Sequence, residues 1–144
     1  KYKLLIASSR NIFQDQIQAL VSRYKVKKQV SFLGFVSDKK LLSIYQESMA
    51  LVQPSFSEGF GLTGIEAMAS RLPVLASDIK VFREIYQDAA FFFDPHSCED
   101  FLKALDDLEI SNRKKITDRG IKIASQYSFD KMAQEIWTEL LKQL

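Results

Sequence analysis

Two glutamates, Glu58 and Glu66, stand eight positions apart and bracket a glycine-rich turn, S-E-G-F-G-L-T-G-I-E-A-M-A. The spacing puts one carboxylate just before a loop of exposed backbone N–H groups. The other falls about a turn into the helix that follows. Free amides at a helix start attract phosphate. A carboxylate repels phosphate but accepts hydrogen bonds from sugar hydroxyls. An anion cradle flanked by hydroxyl acceptors is a site for a phosphorylated sugar, such as a nucleotide sugar.

Other chemistry-bearing residues are sparser. Gly59, Gly61 and Gly64 spell G-x-G-x-x-G, with Asp78 at the end of the next strand, which suggests a dinucleotide fingerprint. Against it, Ser55, Phe56, Ser57 and Glu58 separate the strand from the first glycine, and Glu58 would set a like charge beside a pyrophosphate. Asp78 reads better as a helix cap. His96 and Cys98 lack the carboxylate-rich spacing of a metal site, and no metal is expected. One cysteine excludes an internal disulfide and fits a reducing compartment. Arg10 lies where it could reach a phosphate or stay an exposed arginine.

The elements that must position these residues alternate along the chain. Strands are expected at Lys3–Ser8, Val30–Leu33, Met49–Gln53, Pro73–Ser77 and Ala90–Phe93. Helices are expected at Phe13–Tyr24 with Ile17, Leu20 and Val21 on one face, from Ser37 or Asp38 to Ser48, from Leu62 to Arg71, and through Tyr86. This alternation predicts an α/β fold, a Rossmann-like parallel sheet with helices on both faces. The chain then turns helical. Ser97 with Asp100 makes a capping-box-like pair, Ser111 can cap a second helix and Ser128 a third. In the last, Phe129, Met132, Ala133, Ile136, Trp137, Leu140, Leu141 and Leu144 form an apolar stripe expected to be core or to cover a partner domain. Ligands of open parallel sheets bind beyond the carboxyl ends of the strands, where the glutamate–glycine loop falls.

At 144 residues the chain is one domain by size, with 47% apolar and 26% charged residues, as in soluble globular proteins. The net charge of +2 gives no case for a nucleic-acid partner, and no apolar run is long enough to span a membrane. The basic clusters Lys25, Lys27, Lys28 and Arg113, Lys114, Lys115 read as solvated faces, with an anionic membrane surface as the functional alternative. Opening at Lys1 directly into an apolar strand, the chain reads as a piece of something larger.

The stretch P-S-F-S-E-G-F-G-L-T-G-I-E-A-M-A-S-R-L-P-V-L-A-S-D resembles the signature of the retaining, nucleotide-sugar-dependent glycosyltransferases of the B-type fold, the group 1 family with its E-x7-E spacing. V-S-F-L-G-F-V-S-D, then I-K-V-F-R-E-I with D-A-A-F-F-F-D-P, then Y-S-F-D-K-M-A are similar to further family segments, in order. The resemblance implies that residues 1–144 are a single donor domain, lacking its first strand–helix unit, the basic pair carried there and the acceptor domain. It implies that Glu58 contacts the transferred sugar as the catalytic carboxylate and that Glu66 holds the ribose. Backbone at Gly59, Phe60, Gly61, Leu62 and Thr63 would face the sugar and diphosphate, and Gly34, Phe35 and Val36 the base. It implies a UDP- or GDP-sugar donor, no metal, and a cytoplasmic protein of polysaccharide or glycolipid synthesis, with the inner membrane face as a further setting. Gly64 and Arg71 depart from the family pattern, Arg71 standing where glycine is frequent. The alternatives are a nucleotide- or sugar-binding module without transfer, and the dinucleotide-binding domain above.

Overall fold

The structure, a computed structural model, describes residues 2–8 and 12–142, so Arg10 and Leu144 lie outside the described residues. Two compact units are present, Lys1–Ser43 and Ile44–Leu144. In the first, β1 (Leu4–Ala7) and β2 (Val30–Gly34) pair in parallel, joined by α1 (Ile12–Arg23). A parallel pair needs such a crossover, because a hairpin turn can only reverse the chain. The register shifts after Ile6, so Ala7 stands opposite Gly34. On α1, Val21 is buried, but Ile17 and Leu20, expected beside it, are exposed. Two strands and one helix offer too little surface to cover all three. The boundary between the units falls within α2 (Asp38–Glu47).

The second unit carries the glutamates. Strands β3 (Leu51–Gln53), β4 (Val74–Ser77) and β5 (Ala90–Phe93) form a parallel sheet in that order. The central strand β4 is buried along its whole length, as a strand covered on both faces must be. Its alternate residues separate the two faces. Leu75 and Phe93 pack with Ala104 and Leu108 of α5 (Cys98–Ile110), with Val52 and Phe91 alongside. Gln53, Ala76 and Phe92 are in register and turn to the opposite face. There α4 (Lys80–Tyr86) lays Arg83 over the Phe92 ring, 4.0 Å from its centroid, and brings Tyr86 to Gln53.

Between β3 and α4 runs α3 (Leu62–Ala69), which packs against α6 (Arg113–Ala124). Gly120 permits the close approach, since a Cβ there would lie 3.1 Å from Met68 Cγ. The last helix is α7 (Phe129–Leu141).

Three expectations are corrected. Asp78 does not cap α4: Ile79 is the N-cap and offers no side-chain bond, while both Asp78 oxygens accept from Arg83 at 2.6 Å. A bidentate charge-assisted pair outcompetes a single cap bond. Asn112, not Ser111, caps α6, accepting from the Lys115 N–H at 3.1 Å. The α7 stripe is not core: Met132, Ile136, Trp137, Leu140 and Leu141 are exposed, Trp137 by 64%. Amphipathic spacing marks an apolar face without saying what covers it. The side chain of Phe129 lies outside the described residues.

Candidate functional site

The site is built on the loop from β3 to α3. Pro54 ends β3, because a proline cannot donate to the ladder. The chain then crosses the carboxyl edge of the sheet and enters α3 at Leu62. Gly61 is the N-cap, with φ 97° and ψ 39°, and it has no side chain to close the first turn. The Gly61 carbonyl receives the Gly64 N–H at 3.0 Å. The N–H groups of Leu62 and Thr63 precede the first intrahelical bond, as the opening amides of any helix do. Both residues are exposed, and so are Gly59, Glu58 and Glu66.

Glu58 is held from its own loop: Ser55 Oγ donates to Glu58 Oε1 at 2.9 Å. Glu66 projects from the second turn of α3 beside Tyr45, a buried residue of α2. Burial first, and then the neighbouring Glu66 carboxylate, push the Tyr45 hydroxyl up to about 12. Tyr86 is also raised, mainly by burial and further by the charge of Glu58, with Gln53 and the Gly64 N–H opposing. Each exposed acid therefore has a buried tyrosine within reach of its charge.

The predicted loop residues divide by role. Gly59 has open space where a Cβ would stand, which suits close approach of a ligand. Gly61 is different. A Cβ there would lie 2.3 Å from Tyr86 Oη and 2.8 Å from Phe82 Cε1, so its lack of a side chain serves the core as well as any ligand. Gly64 meets the same hydroxyl at 2.3 Å. Internal packing accounts for both. Phe60 turns its ring onto Tyr127, edge to face at 5.2 Å. The His96 ring lies tilted on the exposed Phe56 ring, with centroids 4.9 Å apart. Gly34, Phe35 and Val36 lie in the first unit. Gly34 has φ 66° and its carbonyl accepts from the Ser8 N–H, while Phe35 is 85% exposed.

Sequence reasoning passed over Ser55, Tyr45, Gln53 and Tyr86. Ser55, three residues before Glu58, carried a local signal. The others did not, because their partners lie far away along the chain.

The model of the family "Glycosyl transferases group 1" matches residues 1–124. The chain belongs to the group 1 glycosyltransferase family. A relative, the O-antigen chain mannosyltransferase RfbU of Salmonella typhimurium, is 35% identical over 135 residues, 94% of this chain and 38% of the relative. This group 1 chain thus spans well under half the length of that relative. Among solved structures, the C-terminal domain of the group 1 family protein LpcC from Francisella tularensis is 29% identical at TM-score 0.65, over 79% of this chain and 61% of that domain. HepE from Anabaena, solved with UDP and glucose, is 22% identical and shares the fold at TM-score 0.83, over 99% of this chain and 41% of its own.

Proposed function

We propose that this group 1 chain is the donor-binding domain of a glycosyltransferase that moves a hexose from a nucleotide diphosphate to an acceptor with retention of anomeric configuration. The observation that carries the reading is the start of α3: an uncapped first turn, exposed at Leu62 and Thr63, with exposed Glu58 before it and Glu66 within it. In transfer, the bond between the anomeric carbon and a phosphate oxygen breaks. Negative charge grows on the leaving diphosphate, and the preoriented amides of residues 59–63 stabilise it. Positive charge grows on the sugar ring, and Glu58 stabilises that while orienting the hydroxyls. Glu66 accepts hydrogen bonds from the ribose. No metal is needed where backbone amides supply the positive field.

Similarity to RfbU, an O-antigen chain mannosyltransferase, favours mannose and polysaccharide synthesis, and HepE's complex with UDP favours a nucleoside diphosphate. The chain's 38% share of RfbU supports an acceptor site in the remainder of the full protein. Among the described residues no helix is long and apolar enough to cross a membrane. A shallow groove on α6 lined by Lys114, Lys115, Arg119 and Lys122, with Asn112 and the acidic Asp118 among them and Arg119 paired with Asp88, supports peripheral contact with an anionic surface.

Titration with UDP, GDP and NADH tests the reading. One diphosphate binds saturably and NADH does not. Saturable NADH binding with indifference to both diphosphates would establish the dinucleotide alternative. Diphosphate binding without transfer or donor hydrolysis by the full protein would establish a binding module. Glu58→Ala lowers transfer on the order of 100-fold, by analogy with loss of one preorganised electrostatic group, and affects diphosphate affinity far less. Equal losses in both remove Glu58 from the sugar.

A further inference from the structure

Beneath the glycine loop lies a buried polar contact that the chemistry above does not use. Tyr86, at the end of α4, is 0% exposed and stacks on Phe82 with ring centroids 4.9 Å apart. Its Oη stands 2.7 Å from Gln53 Oε1 and 2.7 Å from the carbonyl oxygen of Gly61. A hydroxyl has one proton to donate, so it cannot serve two acceptors at once. Half a turn of the Gln53 terminal amide resolves this: Gln53 donates to Oη, and Oη donates to Gly61. Gln53 is itself buried on β3. Strand, loop and helix therefore meet at one hydroxyl, and the absent side chains of Gly61 and Gly64 make the space for it.

The geometry points to Tyr86 and Gln53 as positioning residues that aim the anion-binding amides of the loop. This rests on the donor-site reading above. A trans peptide is planar, with C=O and the next N–H pointing in opposite directions. A hydroxyl that grips the Gly61 oxygen from the buried side turns the Leu62 N–H away from the core, toward the exposed mouth. The left-handed Gly61 supplies the bend; its carbonyl also receives the helix's own Gly64 N–H at 3.0 Å and Ile65 N–H at 3.4 Å, and Tyr86 adds the shortest hold on it, from the buried side. Charge on the leaving diphosphate grows toward the transition state, so a misaimed amide costs more there than in the bound donor.

Tyr86→Phe removes the oxygen and keeps the stacked ring. Gln53→Met reaches the same hydroxyl from the strand, and it carries the test should the first variant fold poorly. In the full protein, amide hydrogen exchange is followed in residues 59–66 beside β4, together with transfer from a UDP- or GDP-hexose. Each variant exchanges about tenfold faster at 59–66, with β4 unchanged. kcat falls about tenfold, while KM for the donor moves by less than about threefold. Unchanged exchange and kcat in a folded variant overturn the inference. So does exchange that rises equally in both segments, which marks plain destabilisation. A parent protein that neither binds UDP or GDP nor transfers sugar sinks the donor-site reading instead, and the exchange comparison still decides whether Tyr86 holds the loop.

Discussion

The start of α3 differs from the starts of the three helices that follow the sheet. Ser97 Oγ accepts the Asp100 N–H at 3.1 Å, Asn112 Oδ1 the Lys115 N–H at 3.1 Å and Ser128 Oγ the Lys131 N–H at 3.5 Å. These helices close their own first turns, as helices with only a structural task do. α3 begins at a left-handed glycine with no side-chain cap. α4 also lacks a side-chain cap, so openness alone is not the signal. What sets α3 apart is openness combined with an acid on either side and a buried tyrosine beneath the bend. Each of the last three helices satisfies one of its opening amides with its own cap side chain, and α3 does not.

The comparison breaks most visibly at Gly61. Gly61→Ala places a methyl in a left-handed site and against the Tyr86 and Phe82 side chains, so the strain and overpacking together cost roughly 2–4 kcal/mol. Urea unfolding reads this as a lower midpoint with an unchanged slope. A variant as stable as the parent would mean that the bend is not tied to the core. Glu66→Ala comes next, weakening nucleoside diphosphate binding by roughly 1.5–3 kcal/mol through lost charge-assisted hydrogen bonds. Calorimetric titration measures it, and unchanged affinity in a folded variant would leave α3 open without a ligand on that flank.

Ser97→Ala and Ser128→Ala sharpen the contrast from the other side. Each costs about 1 kcal/mol of stability as a lost cap. Neither changes affinity for UDP or GDP. A change in affinity would join these helix starts to the site and dissolve the distinction.

Much of this was legible in the residues because its causes are local. The Ala90–Phe93 strand, the helix start at Leu62 and the caps Ser97 and Ser128 follow from apolar runs and from side chains that reach two or three residues ahead. The box at Ser97 is only half formed, since Asp100 Oδ2 accepts from the Asp94 N–H rather than returning to Ser97. Asp78 departs from the cap its position suggests because its partner, Arg83, competes through two bonds instead of one. The acids and glycines of the site were legible as types. The reason for Gly61 was not, because it resides in Tyr86, 25 residues later, and in Gln53, 33 residues before that tyrosine. No periodicity carries a contact between a strand and the second helix after it.

The other end of α3 offers the smallest effect and the cleanest control. The Leu72 N–H reaches the Ala67 carbonyl at 2.9 Å and the Arg71 N–H the Met68 carbonyl at 3.0 Å, a Schellman closure. Arg71 occupies the left-handed position with φ 60°, where glycine has no Cβ to strain. Its side chain makes an exposed ion pair with Asp118 at 3.1 Å, and exposed pairs contribute little. Relief of strain outweighs both that pair and the added freedom of a glycine in the unfolded chain. Arg71→Gly therefore raises stability by about 0.5–1 kcal/mol in urea unfolding and leaves diphosphate affinity unchanged. A drop in stability would assign the Asp118 pair a larger share than its exposure allows. A change in affinity would mean that the two ends of α3 are coupled, and that the open amides at its start depend on how the helix is closed.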